Sequence, residues 1–153
     1  MGSSPSKSEK MSPKDSQENI QRFVQCKGGI LSTLKMLEEG IISDINIRDS
    51  SCSDWTALMY QAAYGTVEAM EYLLAHKPPA LVNLKDRYGD TALHCAVNRG
   101  RDDAPAKLRL LLDHGADKTI GANQRSTALD IARNNNRTEC IKVLEGYTPK
   151  LRG

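Results

Sequence analysis

A short motif recurs along the chain at almost constant spacing. Thr-Ala-Leu begins at Thr56, Thr91 and Thr127, which are 35 and 36 residues apart in the 153-residue sequence. Self-similarity at a period of about 20 to 50 residues is typical of stacked repeat arrays. Each repeat buries its apolar face against its neighbours, because it is too small to form a core alone. The spacing therefore predicts a solenoid.

The middle copy of the motif predicts a short helix between two turns. Gly89 precedes the helix and is expected at a positive φ, and Thr91 is placed to cap the first turn with its side-chain oxygen. A Gly or Asn residue stands nine positions after each Thr, as Gly65, Gly100 and Asn136. Since a left-handed residue commonly ends a helix, we expect Gly100 in that conformation. A helix this short is marginal alone and must stack on another element.

Two further stretches identify the repeat. Residues 91–96 read Thr-Ala-Leu-His-Cys-Ala, and residues 110–117 read Leu-Leu-Leu-Asp-His-Gly-Ala-Asp. They resemble the T-P-L-H-x-A-A-x-x-G core and the L-L-L-x-x-G-A-D ending of ankyrin repeats. The resemblance implies an all-α repeat solenoid of helix pairs joined by β-hairpin-like loops. It also implies that His94 hydrogen-bonds toward a neighbouring turn.

The period divides the chain into about four ankyrin repeats, two full central ones between divergent N-terminal and C-terminal caps. The expected repeats are 17–45, 46–81, 82–116 and 117–147. In the first repeat Asn19 stands where the others have Thr, and terminal repeats are often atypical because one face meets water. Outside this domain, 17–147, we expect a disordered Ser- and Lys-rich tail at 1–16 and a loose tail at 148–153.

The third repeat carries three extra residues before its second helix. Asp102 or Asp103 is the expected cap of that helix. Pro105 then falls in the first helical turn, where the missing N–H of proline costs little. The sequence therefore predicts that the helix tolerates this proline.

The first residues match a lipidation pattern. Met1-Gly2-Ser3-Ser4-Pro5-Ser6 fits M-G-x-x-x-[ST], in which Gly2 would be myristoylated. The same residues are a common leader in recombinant expression, and Met11 could be the native start, so both interpretations stay open. One myristoyl chain gives only weak membrane binding.

Composition and motifs argue against an enzyme, a cofactor or a metal site. No Cys-x-x-Cys or Cys/His cluster has metal-ligand spacing, and no phosphate-binding or nucleophile motif occurs. The four cysteines are widely scattered, as expected for reduced thiols. Because the sequence has no apolar run of 18 residues and no signal peptide, we expect a cytoplasmic monomer, with nuclear or peripheral membrane association as alternatives.

The resemblance also implies where a partner binds. Ankyrin arrays usually bind proteins on a concave face made of hairpin tips and first helices. Carried over position by position, the contact candidates are Trp55, Tyr64, Arg87, Tyr88, Asp90, Asn98, Arg99, Gln124 and Arg125. Trp, Tyr and Arg are enriched at binding hot spots because they bury large areas.

Structural roles compete with binding at these positions. Trp55 could fold onto its own hairpin, and Tyr64 and Tyr88 could pack on each other between repeats. Exposed arginines are ordinarily just solvated. The sequence alone does not separate the two roles.

The expected function is a non-catalytic adaptor or inhibitor that binds a protein partner of unknown identity. The alternative is a nucleic-acid or membrane-surface module. Its arginines would be Arg87, Arg99, Arg125 and Arg133. A net charge of +2, with aspartates interleaved among these arginines, disfavours a polyanion partner, so no nucleic acid is expected.

Overall fold

A computed structural model describes residues 16–122 and 126–148. Those residues form eight α-helices. They are α1 (Gln17–Val24), α2 (Ile30–Glu38), α3 (Ala57–Tyr64), α4 (Val67–Ala75), α5 (Ala92–Arg99), α6 (Ala104–Asp113), α7 (Ala128–Asn134) and α8 (Thr138–Gly146). A 3-10 turn, Ser50–Cys52, forms the tip of the loop before α3, and the same loop holds one antiparallel bridge between Asp49 and Trp55.

The helices form two layers. In the inner layer α1, α3, α5 and α7 pack one after another, and in the outer layer α2, α4, α6 and α8 do the same. The predicted all-α repeat solenoid is therefore confirmed. Each of the four predicted repeat segments contains one helix pair. Residues 1–15 and 149–153, which make up nearly all of the two predicted tails, lie outside the described part of the chain.

The core is a thin layer of apolar side chains between the inner and outer helices. Leu58 and Leu93 occupy the same position in α3 and α5, and both are buried. The outer helices of the second, third and fourth repeats each contribute a matching pair of adjacent buried residues. These pairs are Leu73 and Leu74, Leu111 and Leu112, and Val143 and Leu144. Because burying such a side chain stabilises by about 1.5–3 kcal/mol, the stacked layers supply what a single short helix lacks.

The inner helices begin at hydroxyl caps, as the sequence predicts. The Thr56 side chain accepts the N–H of Met59 at 3.3 Å, and the Thr127 side chain accepts the N–H of Asp130 at 3.2 Å. In the first repeat the cap is Ser16, which accepts the N–H of Asn19 at 3.3 Å. The prediction that Asn19 stands at the Thr position is therefore wrong, because the matching helix begins three residues earlier.

The third-repeat cap uses a histidine that links two repeats. The Thr91 N–H donates to His94 Nδ1 at 3.0 Å. Since Nδ1 accepts, Nε2 carries the proton and donates it to the Ser126 carbonyl, also at 3.0 Å. The predicted hydrogen bond from His94 to a neighbouring turn is confirmed.

The turn before α5 and the residues that follow α5 and α7 differ in backbone conformation. Gly89 has a φ of 85° and Asn136 a φ of 54°, so both adopt the left-handed conformation. Gly100 instead has a φ of −63°, so the prediction of a left-handed Gly100 is wrong. A Cβ at this position would lie 2.3 Å from the Ala96 carbonyl oxygen. Close approach of the backbone, and not a positive φ, is what requires glycine here.

The insertion before α6 is partly as predicted. Asp103 is the N-cap residue and Pro105 lies in the first turn. The Asp103 side chain makes no capping hydrogen bond, and its Oδ1 lies 3.4 Å from Lys107 Nζ. The aspartate thus pairs with a lysine of its own helix.

Candidate functional site

The predicted contacts of the second and third repeats gather around one cavity. This cavity has a volume of ≈ 100 Å³ and is here called the tip cavity. Its lining residues are Ser53, Trp55, Asp86, Tyr88, Asp90, Cys95, Asn98 and Arg99. They belong to the end of the loop before α3, the loop before α5, and α5 itself. Five of the predicted contacts, drawn from two successive repeats, therefore share a single site.

Trp55 forms the floor of this site and is only 9% exposed. Its indole Nε1 donates to Asp86 Oδ2 at 2.9 Å, so it joins the loops of two successive repeats. Its ring also meets Tyr60 edge-on, with centroids 6.2 Å apart. The structure thus differs from the expectation of Trp55 as an exposed contact, because the indole is used inside the protein.

Tyr64 stands beside the tip cavity at the C-terminal end of α3. It is 54% exposed, and its ring lies 5.9 Å from Trp55 and 5.3 Å from Tyr60, centroid to centroid. The guanidinium carbon of Arg99 lies 5.9 Å from the same ring. A cation–π contact at an exposed site is worth about 0.5–1 kcal/mol. Tyr64 and Arg99 are therefore held in place with much of the tyrosine still facing solvent.

The loop before α5 is organised by one buried carboxylate. Asp86 Oδ1 accepts the N–H of Tyr88 at 2.8 Å and the N–H of Asp90 at 2.9 Å. The Asp86 N–H in turn donates to the Asp90 carbonyl at 2.8 Å. The turn that carries Tyr88 and Asp90 is thus fixed before any partner arrives. Sequence reasoning missed this role of Asp86, although an aspartate three residues before a glycine is a turn signal.

The side chains of Tyr88 and Asp90, in the same turn, make no hydrogen bond to another described residue. Tyr88 is 54% exposed. The Asp90 carboxylate is half-buried and has no hydrogen bond or ion pair within the described residues. Burial raises the pKa of Asp90 above 3.8, the neighbouring Asp86 raises it further, and His94 acts in the opposite direction without reversing the shift. An ionised Asp90 would therefore gain from a positive charge.

Arg87 is largely engaged with the preceding repeat. Its guanidinium donates to the Ser50 carbonyl at 2.9 Å and lies 3.5 Å from Asp54 Oδ2. Its backbone N–H donates to the Ser53 carbonyl at 2.9 Å. Arg87 thus ties two loops together and is less available to a partner than the sequence suggests.

Three predicted residues cannot be placed. Gln124, Arg125 and the lipidation candidate Gly2 lie outside the described residues. Within residues 16–122 and 126–148, no group of His, Cys, Asp or Glu is arranged to hold a metal ion. No described helix is long and apolar enough to cross a membrane. Cys95 lines the tip cavity, but burial raises the pKa of its thiol well above 9.0, which disfavours the reactive thiolate.

Comparison with known proteins gives the family. Residues 22–121 match the family described as "Ankyrin repeats (3 copies)", and residues 79–151 match it again. The chain belongs to the ankyrin-repeat family. Ankyrin repeats are generally protein–protein interaction modules, and the fold is typically non-enzymatic.

Individual relatives are much longer proteins that the chain matches over a small part of their length. The chain is 29% identical over 130 residues to the transient receptor potential cation channel subfamily A member 1 homolog of Caenorhabditis elegans, covering 85% of this chain and 10% of that protein. It is 32% identical over 87 residues to the transient receptor potential cation channel subfamily A member 1 of Homo sapiens, and this match covers 57% of this chain and 8% of that protein. It is 38% identical over 71 residues to the NAD-capped RNA hydrolase NUDT12 of Macaca fascicularis, and this match covers 46% of this chain and 14% of that protein. The chain therefore spans only 8% to 14% of these relatives.

Proposed function

We propose that this ankyrin-repeat protein is a non-catalytic adaptor or inhibitor whose protein partner docks around the tip cavity. The observation that carries the proposal is the grouping of Tyr64, Tyr88, Asp90 and Arg99 at one junction between two repeats. Exposed tyrosines offer large contact areas at low entropic cost.

The rigidity of the surface supports this function. Asp86 holds the Tyr88 turn, and Trp55 holds Asp86 and contacts Tyr64. A partner therefore meets side chains that are already positioned, and binding loses little conformational entropy. In this proposal Trp55 does not contact the partner; it holds Asp86 and Tyr64 in position.

A polyanion-binding module is the weaker alternative. Arg87 is engaged by Asp54 and a backbone carbonyl, and Arg133 lies 2.6 Å from Glu145. Asp86 and Asp90 line the same cavity as Arg99. Phosphate groups would meet these carboxylates at short range, so a protein partner fits the charge distribution better.

Affinity capture with matched variants tests the proposal. The Tyr64→Ala/Tyr88→Ala double variant removes both exposed rings of the site, and Tyr72→Ala removes a ring that is 49% exposed on the outer helix α4. Proteins captured by the natural chain should be lost with the double variant and kept with Tyr72→Ala, at unchanged helical content by circular dichroism. Equal capture by all three proteins would refute the proposed site.

The remaining expectations about the natural protein form part of the same proposal. We propose a cytoplasmic monomer, to which a myristoyl group on Gly2 would add weak membrane affinity if the natural chain carries one. Intact-mass measurement of the protein from its native cells reads out the acylation directly, and a mass without the acyl group would remove that part. Sedimentation analysis of the purified chain tests the monomer.

A further inference from the structure

We propose that the tip cavity receives an arginine side chain from the protein partner, with the guanidinium bound by Asp90 and stacked on Tyr88. This inference rests on the proposed function, since it names the chemistry of the partner at the same surface. It is carried by an unpaired carboxylate, an aromatic wall and the size of the cavity, each of which is a separate property of the described residues.

Asp90 supplies a carboxylate that forms no ion pair with any described residue. Its backbone N–H is bound by Asp86, but its carboxylate oxygens accept no hydrogen bond from any described residue. A second carboxylate, Asp86, lies beside it and is buried. A half-buried carboxylate without a donor from the protein depends on solvent alone, so a charged donor entering the cavity would bind it and oppose the repulsion from Asp86.

The protein's own arginines do not fill this role. Arg87 is directed to Ser50 and Asp54 of the preceding loop. Arg99 lies over the Tyr64 ring and has no carboxylate within ion-pair distance among the described residues. Arg99 also lines the cavity, so the lining carries two carboxylates, Asp86 and Asp90, against one guanidinium. Within the described residues no cation forms an ion pair with Asp90, and the partner can supply one.

The walls and the volume favour arginine. Tyr88 comes from the same fixed turn as Asp90 and exposes more than half of its surface. A guanidinium is planar, binds a carboxylate with two parallel hydrogen bonds and stacks on aromatic faces, none of which an ammonium does as well. The ≈ 100 Å³ of the cavity is well below the about 300–1,000 Å³ of small-molecule sites. It therefore suits the end of one side chain.

A defined probe tests this chemistry on the full chain. N-acetyl-arginine amide is titrated into isotope-labelled protein while backbone amide signals are followed by NMR. Shifts should concentrate at Tyr88, Asp90 and Asn98, and N-acetyl-citrulline amide, which has the same shape without the charge, should bind at least about tenfold more weakly. Equal binding of the two probes, shifts located elsewhere, or the same shifts with N-acetyl-glutamate amide would overturn the assignment.

Two aspartate variants connect the probe to the site. Asp90→Asn removes the charge and keeps the backbone N–H that Asp86 binds, so the turn should stay intact and arginine binding should weaken by about tenfold or more. Asp102→Asn removes an exposed aspartate outside the cavity and should change nothing. Binding that survives Asp90→Asn would overturn the assignment.

The same variants separate this inference from the proposed function. A captured partner that is lost with Tyr64→Ala/Tyr88→Ala but binds Asp90→Asn at full affinity would overturn the arginine assignment and leave the docking site standing. A partner that still binds after both tyrosines are removed would overturn the docking site itself. A partner that is lost in both cases but still binds Tyr72→Ala and Asp102→Asn at full affinity supports both.

Discussion

Replacing Trp55 with Phe removes the hydrogen bond by which the indole, at the floor of the tip cavity, holds the loop of the next repeat. The indole Nε1 is the donor to Asp86 Oδ2 at 2.9 Å, and both residues are buried. Phenylalanine keeps an aromatic ring against Tyr60 and Tyr64 but offers no donor. The carboxylate oxygen would then be left buried without a partner, a situation already present at Asp49 Oδ2 in the preceding loop.

The expected loss of stability follows from two contributions. A buried acceptor left without its donor costs about 1–3 kcal/mol, and more when it is charged. The smaller ring leaves a gap that adds about 1 kcal/mol. The free energy of unfolding should therefore fall by about 2–4 kcal/mol. For a chain of this length each kcal/mol lowers the melting temperature by about 2–4 °C, so we expect a decrease of about 4–16 °C.

Urea unfolding followed by circular dichroism measures this loss. Tyr60→Phe is the matched control, because it removes a hydroxyl from the same ring cluster that has no hydrogen bond to a described residue. The control should stay within about 0.5 kcal/mol of the natural protein. A Trp55→Phe variant as stable as the Tyr60→Phe control would refute the role given to the indole.

Two further perturbations test the scaffold. Gly100→Ala places a Cβ 2.3 Å from the Ala96 carbonyl oxygen and should destabilise by more than about 1 kcal/mol in urea unfolding, whereas Gly146→Ala, whose Cβ meets nothing within 4 Å, should be neutral or stabilise by up to about 1 kcal/mol. Equal effects would contradict the steric explanation. Lys107 is 1% exposed, its Nζ donates to the Ala62 carbonyl at 3.2 Å, and burial lowers its pKa below 10.5. The unfolded chain then binds this proton more tightly, so the free energy of unfolding should rise as alkaline pH passes from the folded-state pKa to 10.5. Lys107→Met should remove that rise when the two proteins are compared across the same pH series.

The repeat architecture is predictable because short sequence motifs, repeated at regular spacing, specify it. The spacing from Thr56 to Thr91 and Thr127 places three inner helices, and each hydroxyl can cap only the turn that follows it. The first-repeat cap was harder to find. Ser16 caps the first helix. A serine in a Ser-rich stretch gives no distinctive signal, so the sequence alone favours Asn19 as the residue that matches Thr in the other repeats.

The site was predictable as a set of positions and not as a set of roles. Tyr64, Tyr88 and Asp90 are exposed or half-exposed as a partner surface requires. Trp55 is buried because Asp86, 31 residues further along the chain, accepts its indole N–H. A hydrogen bond between two repeats depends on how they stack, which periodicity does not specify. The burial of Lys107 is missed for the same reason, since its acceptor Ala62 is 45 residues away.

Site-specific photo-crosslinking reports whether a protein partner contacts the tip cavity. A photo-reactive benzoylphenylalanine is placed at position 88 in one protein and at position 72, on the outer helix α4, in another. Both native tyrosines are about half exposed, so the two probes start from comparable solvent access. If the partner docks at the tip cavity, we expect a partner adduct from position 88 and none from position 72. Adducts of equal yield from both positions, or from position 72 alone, would contradict it.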